Sequence, residues 1–410
     1  MTLRIVVDQA VPWHREAFEG LGQVHAVPGA AIDNAVLRDA DVLIVRSVTR
    51  VDAALLRGTA VRFVGSATAG EDHIDRRVLE SAGITVARAP GCNAQAVAEY
   101  VLSALSHARR WGQGGPPGPV GVVGLGHVGR RTTRALRAVG YQVIACDPPL
   151  AERRACGEPI EDPDPALTNL ARFERLVSLD ELLESAFVIT LHVPLVPAGR
   201  YATTHLLGDD ELARLRHGQL VINTSRGGVI DDVALERWIA VGDGRALVDV
   251  WEGEPRPNPG LLRGPGATSL ATPHIAGYTL DGKVAATTMV HEALCRWMSR
   301  APRFDGSHVL GSPGSIDVSC TDPQASRDFR PWVAAAVPLT GDDTRLRSVI
   351  ADPEDSRGQA FESLRRNYSL RRELSAFRIQ GADLDTPTRN KLTALGFSVE
   401  GASPPLSSGR

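Results

Sequence analysis

Apolar and polar positions alternate in blocks along the first hundred residues. Short apolar runs predict buried strands at residues 3–7, 42–45, 63–64 and 84–86. The amphipathic segments 12–21 and 75–81 lie between these runs and predict helices. Strands that alternate with helices indicate a parallel sheet covered on both faces, so this part of the chain is predicted to be α/β.

A second block of the same kind extends from residue 120 to about residue 277. Its apolar runs predict strands at residues 120–123, 143–146, 188–191, 220–223, 246–250 and 269–271. Residues 282–298 then predict a long helix. The last hundred residues hold a helix candidate at 361–372 and strand candidates at 376–379 and 397–399, and they predict a separate, smaller domain.

Two segments interrupt this alternation. Residues 112–119 consist of glycine and proline with a single glutamine, and they predict a domain boundary after a helix at 97–110. Residues 148–169 are rich in proline and acidic residues and predict a surface insertion. The length of 410 residues also suggests two or three domains, at roughly 150 residues each.

Charge and composition exclude several classes of protein. The formal net charge of -3 provides no field that would attract nucleic acid or an anionic membrane. Only Lys283 and Lys391 are lysines among the 45 basic residues, which argues against Schiff-base chemistry and reduces the weight of any arginine cluster. The five cysteines are scattered and form no C-x-x-C pair, so neither a disulfide scaffold nor a metal site is expected. With no long apolar run, a cytoplasmic protein is expected.

A glycine-rich turn follows the predicted strand 120–123 and opens a predicted helix. The turn consists of Gly124, Leu125, Gly126, His127, Val128 and Gly129. In this spacing the first glycine makes the turn, the second admits a pyrophosphate and the third lets the helix pack closely. The helix N-terminus offers free N–H groups to the same anion. A dinucleotide site is therefore predicted, and a glycine turn without a ligand is the alternative.

The next strand, 143–146, ends in Asp147, which stands 18 residues beyond Gly129. A carboxylate there can accept hydrogen bonds from the adenosine ribose hydroxyls. Pro148 and Pro149 follow it, where an arginine would be needed to neutralise a 2′-phosphate. NAD is therefore expected as the cofactor, in preference to NADP.

Three later strands end in polar loops, and ligands of open α/β sheets bind outside the carboxyl ends of strands. The polar residues of these loops are Thr224, Ser225, Arg226, Asp249, Glu254, His274 and the neighbouring Gly277. A guanidinium can hold a substrate carboxylate bidentately. A carboxylate and an imidazole can form an acid–base pair. A solvated arginine and a structural histidine are the alternatives in this arginine-rich chain.

The glycine turn, the Asn-x-x-Arg-Gly loop, the Asp-Val-x-x-x-Glu-Pro run and the Pro-His-Ile-Ala-Gly segment resemble, in this order, the D-isomer-specific 2-hydroxyacid dehydrogenases. The resemblance implies that Arg226 binds the substrate carboxylate and that His274 is the acid–base. It also implies that Glu254 orients the histidine and stabilises its imidazolium form. It also implies that Asp249 contacts the nicotinamide and that the cofactor is lined by Thr224, Ser225, Arg226 and Gly277. Val193 stands where the family usually has a threonine that contacts NAD, so its backbone alone is expected to contact the cofactor.

A narrower resemblance covers nearly the whole chain, to members of this family that act on a small phosphorylated 2-hydroxy acid. It rests on residues 45–49, 65–70, 89–94, 146–149, 274–279 and 364–373. It implies that Ser47, Thr68 and Tyr278 bind the substrate, and Arg46 is expected beside the phosphate. The C-terminal part resembles a dimerisation domain, so a homodimer is expected. Such a dimer is expected to bring Arg371 or Arg372 near the partner's active site.

The resemblance implies a Rossmann-type NAD-binding domain, residues 112–280, inserted in a flavodoxin-like substrate domain. Residues 1–111 and a return helix at 281–304 form the substrate domain, and residues 305–410 form a small α+β dimerisation domain. Two other functions stay open: a dehydrogenase for another 2-hydroxy acid, such as 3-phosphoglycerate, or an NAD-sensing protein of the corepressor type. Retention of Arg226, Glu254 and His274 favours an enzyme.

Overall fold

The computed structural model describes residues 2–107, 118–158, 176–242, 244–349, 354–380 and 383–399. The chain forms two compact units. The first unit contains Met1–Ala94 and Tyr278–Gly311, and the second contains Gln95–Gly277 and Ser312–Arg410. Most of the predicted linker at 112–119 and half of the predicted insertion at 148–169 lie outside the described residues.

The first ninety residues alternate strands and short helices, as predicted. The strands are β1 Leu3–Asp8, β2 Gly22–Val27, β3 Val42–Val45, β4 Phe63–Ser66 and β5 Thr85–Ala87. The helices are α1 His14–Phe18, α2 Asn34–Leu37, α3 Ala53–Leu56 and α4 Arg76–Ser81. Helices α2, α3 and α4 each begin at an aspartate whose carboxylate accepts a backbone N–H of the first turn, which stabilises the helix start.

The elements of the middle of the chain belong to the second unit. The helices are α5 Ala94–His107, α6 His127–Ala138, α7 Pro148–Ala155, α8 Leu179–Ser185, α9 Asp209–Ala213 and α10 Asp232–Val241. The strands are β6 Val120–Val123, β7 Val143–Cys146, β8 Val188–Leu191, β9 Leu220–Asn223, β10 Arg245–Val248 and β11 Leu270–Ala271. Helix α7 occupies the start of the predicted insertion, because Asp147 caps it and Pro148 suits its first turn.

The remaining elements follow the last strand of this sheet. The helices are α11 Leu280–Trp297, α12 Ser307–Leu310, α13 Arg330–Ala336, α14 Thr340–Ser348, α15 Glu354–Arg366 and α16 Thr386–Ala394. The strands are β12 Ile316–Val318, β13 Phe377–Ile379 and β14 Ser398–Val399. Strands β12, β13 and β14 form a parallel three-stranded sheet in that order.

Both large sheets are fully parallel. In the first unit the order is β2-β1-β3-β4-β5, the flavodoxin-like order that the resemblance implies. Helix α11 returns to this unit and buries Val290 and Leu294 in its apolar cluster. In the second unit the order is β11-β10-β9-β8-β6-β7, and Leu176 extends it past β7 by one parallel bridge to Ala145. The strand order reverses at β6, as in a Rossmann fold, so the predicted fold class is confirmed.

The C-terminal part shares its core with the six-stranded sheet. Trp332, Val333 and Phe397 belong to the same buried apolar cluster as Val122 of β6 and Leu136 of α6. The helix α5 also contributes to this cluster. The compact units are divided after residues 94, 277 and 311. The predicted domains are divided after residues 111, 280 and 304, and that division stays a prediction.

Candidate active site

The carboxyl ends of the parallel strands in the second unit carry the predicted cofactor and catalytic residues. Gly124 follows β6, Val193 lies just past β8, and Thr224 follows β9. Asp249 follows β10, and His274 lies three residues past β11. Since parallel strands end at the same edge of a sheet, the structure brings these loops to one edge of the second unit.

The three glycines of the turn differ in the space around them. A Cβ on Gly124, whose φ is +89°, would lie 2.5 Å from the carbonyl oxygen of His192. A Cβ on Gly129 would lie 1.8 Å from the carbonyl oxygen of Gly124. Gly126 has no atom within 4 Å of its Cβ position, and it is the N-cap of α6 without a side-chain cap. The turn therefore leaves open space at the N-terminus of α6, where a pyrophosphate is expected.

The Asp147 carboxylate organises the predicted ribose site. One oxygen accepts the N–H of Leu125 at 2.7 Å, and the other accepts the N–H of Leu150 at 2.9 Å. Asp147 therefore ties the glycine turn to the start of α7. Each carboxylate oxygen retains a further lone pair for a ribose hydroxyl.

The loop after β9 is built around Asn223. Its side-chain oxygen accepts the backbone N–H and the hydroxyl of Ser225, at 3.0 and 2.8 Å, and its amide donates to the Arg226 carbonyl. The Arg226 guanidinium donates to the Ser225 carbonyl at 2.8 Å. Buried Thr224 Oγ1 has no hydrogen-bond partner among the described residues, which fits a loop that lines a polar ligand. Gly227 packs so closely on Trp251 that a Cβ there would lie 2.0 Å from its backbone.

Glu254 and His274 form a hydrogen-bonded pair. Glu254 Oε2 lies 2.7 Å from His274 Nδ1, and its Oε1 accepts the N–H of Trp251 at 2.9 Å. Burial acts to raise the pKa of Glu254, but the hydrogen bond and charge of His274 outweigh it, so the pKa is lowered. With Nδ1 bound to the carboxylate, Nε2 is the nitrogen left to exchange a proton. The side chain of His274 is 31% exposed, so a substrate can reach it.

Asp249 holds the histidine loop from inside the unit. Its carboxylate, which is buried, accepts the hydroxyl of Thr272 at 2.6 Å and the N–H groups of Ile275 and Ala276 at 2.8 and 2.9 Å. Burial raises the pKa of Asp249 despite these donors. The implied contact with the nicotinamide stays a prediction. The role of Asp249 in shaping the histidine loop was not visible in the sequence, because it depends on contacts across a turn.

The first unit carries the predicted substrate residues Arg46, Ser47, Thr68 and Tyr278. Arg46 and Ser47 follow β3, and Ser47 is exposed. Arg46 Nη1 donates to the carbonyl of Ala10 at 3.2 Å. Thr68 follows β4, and Tyr278 precedes α11. Their roles toward a substrate stay predictions.

A hydroxyl chain behind Thr68 was missed by sequence reasoning. Thr68 donates to the carbonyl of Gly70 at 3.0 Å, so its oxygen accepts from the Ser66 hydroxyl, 2.9 Å away. Ser66 in turn lies 3.0 Å from His73 Nε2. Burial lowers the pKa of His73, which favours a neutral ring that donates through Nε2. The chain fixes the hydroxyl of a predicted substrate residue.

Lys283 is a second residue that sequence reasoning missed. Its ammonium lies 5.3 Å from the centre of the Tyr278 ring. Burial, and after it the charge of Arg46, lower the pKa of Lys283 to about 8. Among the described residues, neither Lys283 nor Arg46 forms an ion pair with a carboxylate. The sequence did offer a signal, since Lys283 is one of only two lysines in the chain.

In the described part of the chain, no helix is long and apolar enough to cross a membrane. The same residues include no group of three or more His, Cys, Asp or Glu side chains placed to hold a metal ion.

Comparisons with known proteins agree with this geometry. Residues 108–276 match the model of the D-isomer specific 2-hydroxyacid dehydrogenase NAD-binding domain, and residues 311–396 match a domain of unknown function. Solved structures with the same fold include a protein from Thermus thermophilus, at 26% identity and a TM-score of 0.57 over 74% of this chain and 99% of that one. The D-lactate dehydrogenase of Aquifex aeolicus, solved with NAD and lactic acid, has 22% identity and a TM-score of 0.57, over 72% and 95%.

The chain belongs to the D-isomer specific 2-hydroxyacid dehydrogenases, and it is an NAD-dependent enzyme. Its full-length relatives include erythronate-4-phosphate dehydrogenases. That of Marinobacter nauticus is 41% identical over 97% of this chain and 99% of the relative. That of Azotobacter vinelandii is 40% identical over 96% and 99%. The predicted family and cofactor are thereby confirmed.

Proposed function

We propose that the protein oxidises 4-phospho-D-erythronate to (R)-3-hydroxy-2-oxo-4-phosphobutanoate, a step toward pyridoxal 5′-phosphate. The hydrogen-bonded pair of Glu254 and His274 at the carboxyl ends of the strands is the observation that carries the dehydrogenase chemistry. The names of the full-length relatives support the choice of substrate.

In the proposed reaction the C2 hydroxyl gives its proton to Nε2 of His274. NAD, held at the glycine turn and Asp147, would supply the hydride acceptor for C2, so that the products are the 2-oxo acid, NADH and a proton. Arg226 is proposed to hold the substrate carboxylate with its guanidinium. Glu254 stabilises the imidazolium that forms and fixes the ring through Nδ1.

The replacement His274→Asn tests the acid–base step. A base of this kind contributes roughly 100- to 10,000-fold to the rate. We expect kcat to decrease by a factor in that range. The dissociation constant of NADH, measured by fluorescence titration, should change by no more than about twofold. Wild-type turnover in this variant would remove His274 from the mechanism.

The phosphate of the substrate is proposed to bind at Arg46 and Lys283. Both cations border one loop of the first unit: Arg46 donates to the Ala10 carbonyl, and Thr287 of α11 donates to the Pro12 carbonyl at 3.0 Å. Lys283 lies one helical turn before Thr287, so it projects from the same face of α11. Two neighbouring cations without a carboxylate partner repel each other, and a dianionic phosphate would relieve that repulsion.

Lys283→Met tests the phosphate site, and Lys391→Met is the matched control. Loss of a charge-assisted hydrogen bond of about 1.5–3 kcal/mol should raise KM for 4-phospho-D-erythronate about tenfold or more. KM for D-erythronate, which has no phosphate, should be unchanged. Because Lys283 loses its charge as the pH rises through about 8, KM of the unmodified enzyme for the phosphorylated substrate should rise over that range. Equal KM values in the unmodified enzyme and Lys283→Met would reject the site.

The competing substrates are other 2-hydroxy acids. A panel assayed by NADH fluorescence, with 3-phospho-D-glycerate, D-lactate and D-erythronate beside 4-phospho-D-erythronate, separates them. The highest kcat/KM is expected for 4-phospho-D-erythronate. A higher kcat/KM for another acid would reject 4-phospho-D-erythronate as the substrate and would still agree with a 2-hydroxyacid dehydrogenase.

We also propose that the enzyme is a homodimer. The proposal rests on the resemblance of residues 364–373 to a dimerisation domain. Sedimentation velocity of the intact protein should give the mass of two chains, and a single-chain mass would reject the dimer. Arg371, one of the arginines expected near the partner's active site, hydrogen-bonds backbone of its own chain, and its distance from a partner's active site stays a prediction.

A further inference from the structure

The edge strand of the six-stranded sheet is held from outside by the C-terminal part. Strand β11 has only two residues, and an edge strand leaves backbone groups without a sheet partner. Asp343 of α14 accepts the N–H of Ala271 at 2.7 Å. Arg347, itself bound to Asp343, donates to the carbonyls of Thr268 at 2.9 Å and Leu262 at 2.5 Å. These contacts fix the chain where it enters the histidine loop.

The other end of that loop is held by Arg371. Its Nη2 donates to the carbonyl of Ala276 at 2.5 Å and to the carbonyl of Ala96 at 2.8 Å. Ala276 stands two residues after His274, and its own N–H is bound by Asp249. The N–H of Ala276 is thus held by Asp249, and its carbonyl is held by Arg371 of the C-terminal part. Ala96 and Ala276 also lie next to two of the three points where the chain passes between the compact units.

The segment that carries Arg371 is itself fixed. Leu374 is fully buried, and its N–H donates to Glu99 Oε1 of α5 at 3.0 Å. Gln95 donates to the same oxygen at 2.9 Å. The arginine therefore reaches Ala276 from a backbone that is anchored three residues away.

The loop needs such support because His274 has a left-handed backbone, with φ of +58°. A non-glycine residue in this conformation costs of order 1–3 kcal/mol and persists only where its surroundings determine it. Its N–H donates to the Asp249 carbonyl at 2.8 Å, and Asp249 binds the two residues that follow. Release of Ala276 would free the side of the loop that no strand supports.

We propose that Arg371 is a positioning residue for catalysis, and that the C-terminal part, residues 312–399, functions as a brace for the acid–base loop of its own chain. This role concerns a region whose family model has no assigned function. The proposal rests on the acid–base role proposed for His274. Arg371 touches neither the substrate nor the cofactor in this role; it acts through the Ala276 carbonyl on the place of the imidazole.

The test uses the full-length enzyme with Arg371→Met, Arg371→Lys and the control Arg366→Met, which removes an exposed arginine from the same segment. A displacement of about 1 Å at a reacting group can cost about 100-fold in rate. We expect Arg371→Met to lower kcat tenfold or more while the NADH dissociation constant stays within twofold. Arg371→Lys, which can still reach one carbonyl, should recover part of kcat, and Arg366→Met should match the unmodified enzyme.

A second readout separates positioning from general damage. With substrate deuterated at C2, a misplaced base should slow the chemical step and increase the isotope effect on kcat in Arg371→Met. Unchanged kcat, or a parallel loss of NADH affinity, would overturn the brace. If Arg371→Met does not fold, Arg371→Lys decides: reduced kcat with normal NADH binding supports the brace, and wild-type kcat overturns it.

The variant His274→Asn tests the acid–base proposal separately from the brace. If His274→Asn is inactive and Arg371→Met has normal kcat, only the brace fails. If His274→Asn retains normal turnover, the proposed acid–base fails, and the brace, which rests on it, fails with it.

Discussion

Asp147 combines a structural and a proposed binding role in one carboxylate. It caps α7 and holds the glycine turn through Leu125, and the same oxygens are predicted to accept the ribose hydroxyls. Its identity as the predicted NAD-selecting residue followed from its place at a strand end. Its helix-capping role required α7, which the proline-rich sequence after it did not predict.

We expect Asp147→Ala to weaken NADH binding by about 1.5–3 kcal/mol, the contribution of a hydrogen bond to a charged group. The difference in affinity between NADH and NADPH should become smaller, because the carboxylate no longer repels the 2′-phosphate of NADPH. Loss of the cap should also lower the free energy of unfolding by about 1 kcal/mol. Fluorescence titration with both cofactors measures the first effect, and Asp147→Asn, which keeps a cap acceptor, is the control. Equal use of NAD and NADP by the unmodified enzyme would contradict the assignment.

The pairing of Glu254 with His274 predicts an effect on the rate. Glu254 Oε2 lies 2.7 Å from His274 Nδ1, so the carboxylate is expected to orient the ring and to stabilise the imidazolium that forms when Nε2 accepts a proton. Glu254→Gln keeps the shape of the side chain and removes its charge. We expect kcat to fall about tenfold or more, while the dissociation constant of NADH stays within about twofold.

Glu252→Gln is the matched control for this change. Glu252 accepts from the exposed His205, at 2.6 Å from its Nε2, and makes no hydrogen bond to His274. Its replacement should leave kcat unchanged. An unchanged kcat in Glu254→Gln would show that the pair does not contribute to the reaction.

At the scale of elements, the turn between β6 and α6 illustrates how packing separates similar glycines. The sequence showed three glycines in one motif, and only the structure shows which of them the fold requires. Gly129 and Gly124 are in steric contact, whereas Gly126 faces open space.

We therefore expect opposite outcomes for two alanine variants. Gly129→Ala should lower the free energy of unfolding by several kcal/mol, because its Cβ would overlap the Gly124 carbonyl. Gly126→Ala should keep a normal free energy of unfolding and bind NADH at least tenfold more weakly, since the methyl group blocks the approach of the pyrophosphate. Urea denaturation and NADH titration on both variants measure the contrast. A destabilised Gly126→Ala with normal NADH affinity would invert the assignment.

At the scale of the whole molecule, Glu99 links α5 to the C-terminal part. It is fully buried, and burial, with the charge of Glu373 second, raises its pKa to about 8 from an ordinary value of 4.5. Between these pH values the folded chain binds more protons than the unfolded chain. The free energy of unfolding therefore falls as the pH rises from about 4.5 to 8.

Glu99→Gln should remove this dependence. Its free energy of unfolding relative to the unmodified protein should increase between pH 5 and pH 8, as measured by urea denaturation at both values. Glu80→Gln, which changes an exposed glutamate, is the control and should show no such trend. A constant difference between Glu99→Gln and the unmodified protein across this range would show that Glu99 ionises normally.

Much of the architecture could be predicted because the signals are local. The strands of the six-stranded sheet are short apolar runs, and the structure places them within two residues of the prediction. Strand β2 was missed because its exposed and half-buried positions hold polar residues such as Gln23 and His25. Helix α15 ends at Arg366, so Arg371 and Arg372, which the predicted helix at 361–372 included, lie beyond its end.

The sequence by itself determined the alternation of strands and helices, the glycine turn, the carboxylate at the end of the next strand and the presence of Arg226, Glu254 and His274. These depend on residue type and on neighbours along the chain. Only the tertiary structure decided the pairing distance of Glu254 and His274, the cations Arg46 and Lys283 beside one loop, and the inward contacts of Arg371. Each of these joins residues that are between 20 and 275 positions apart, so no local pattern encodes it.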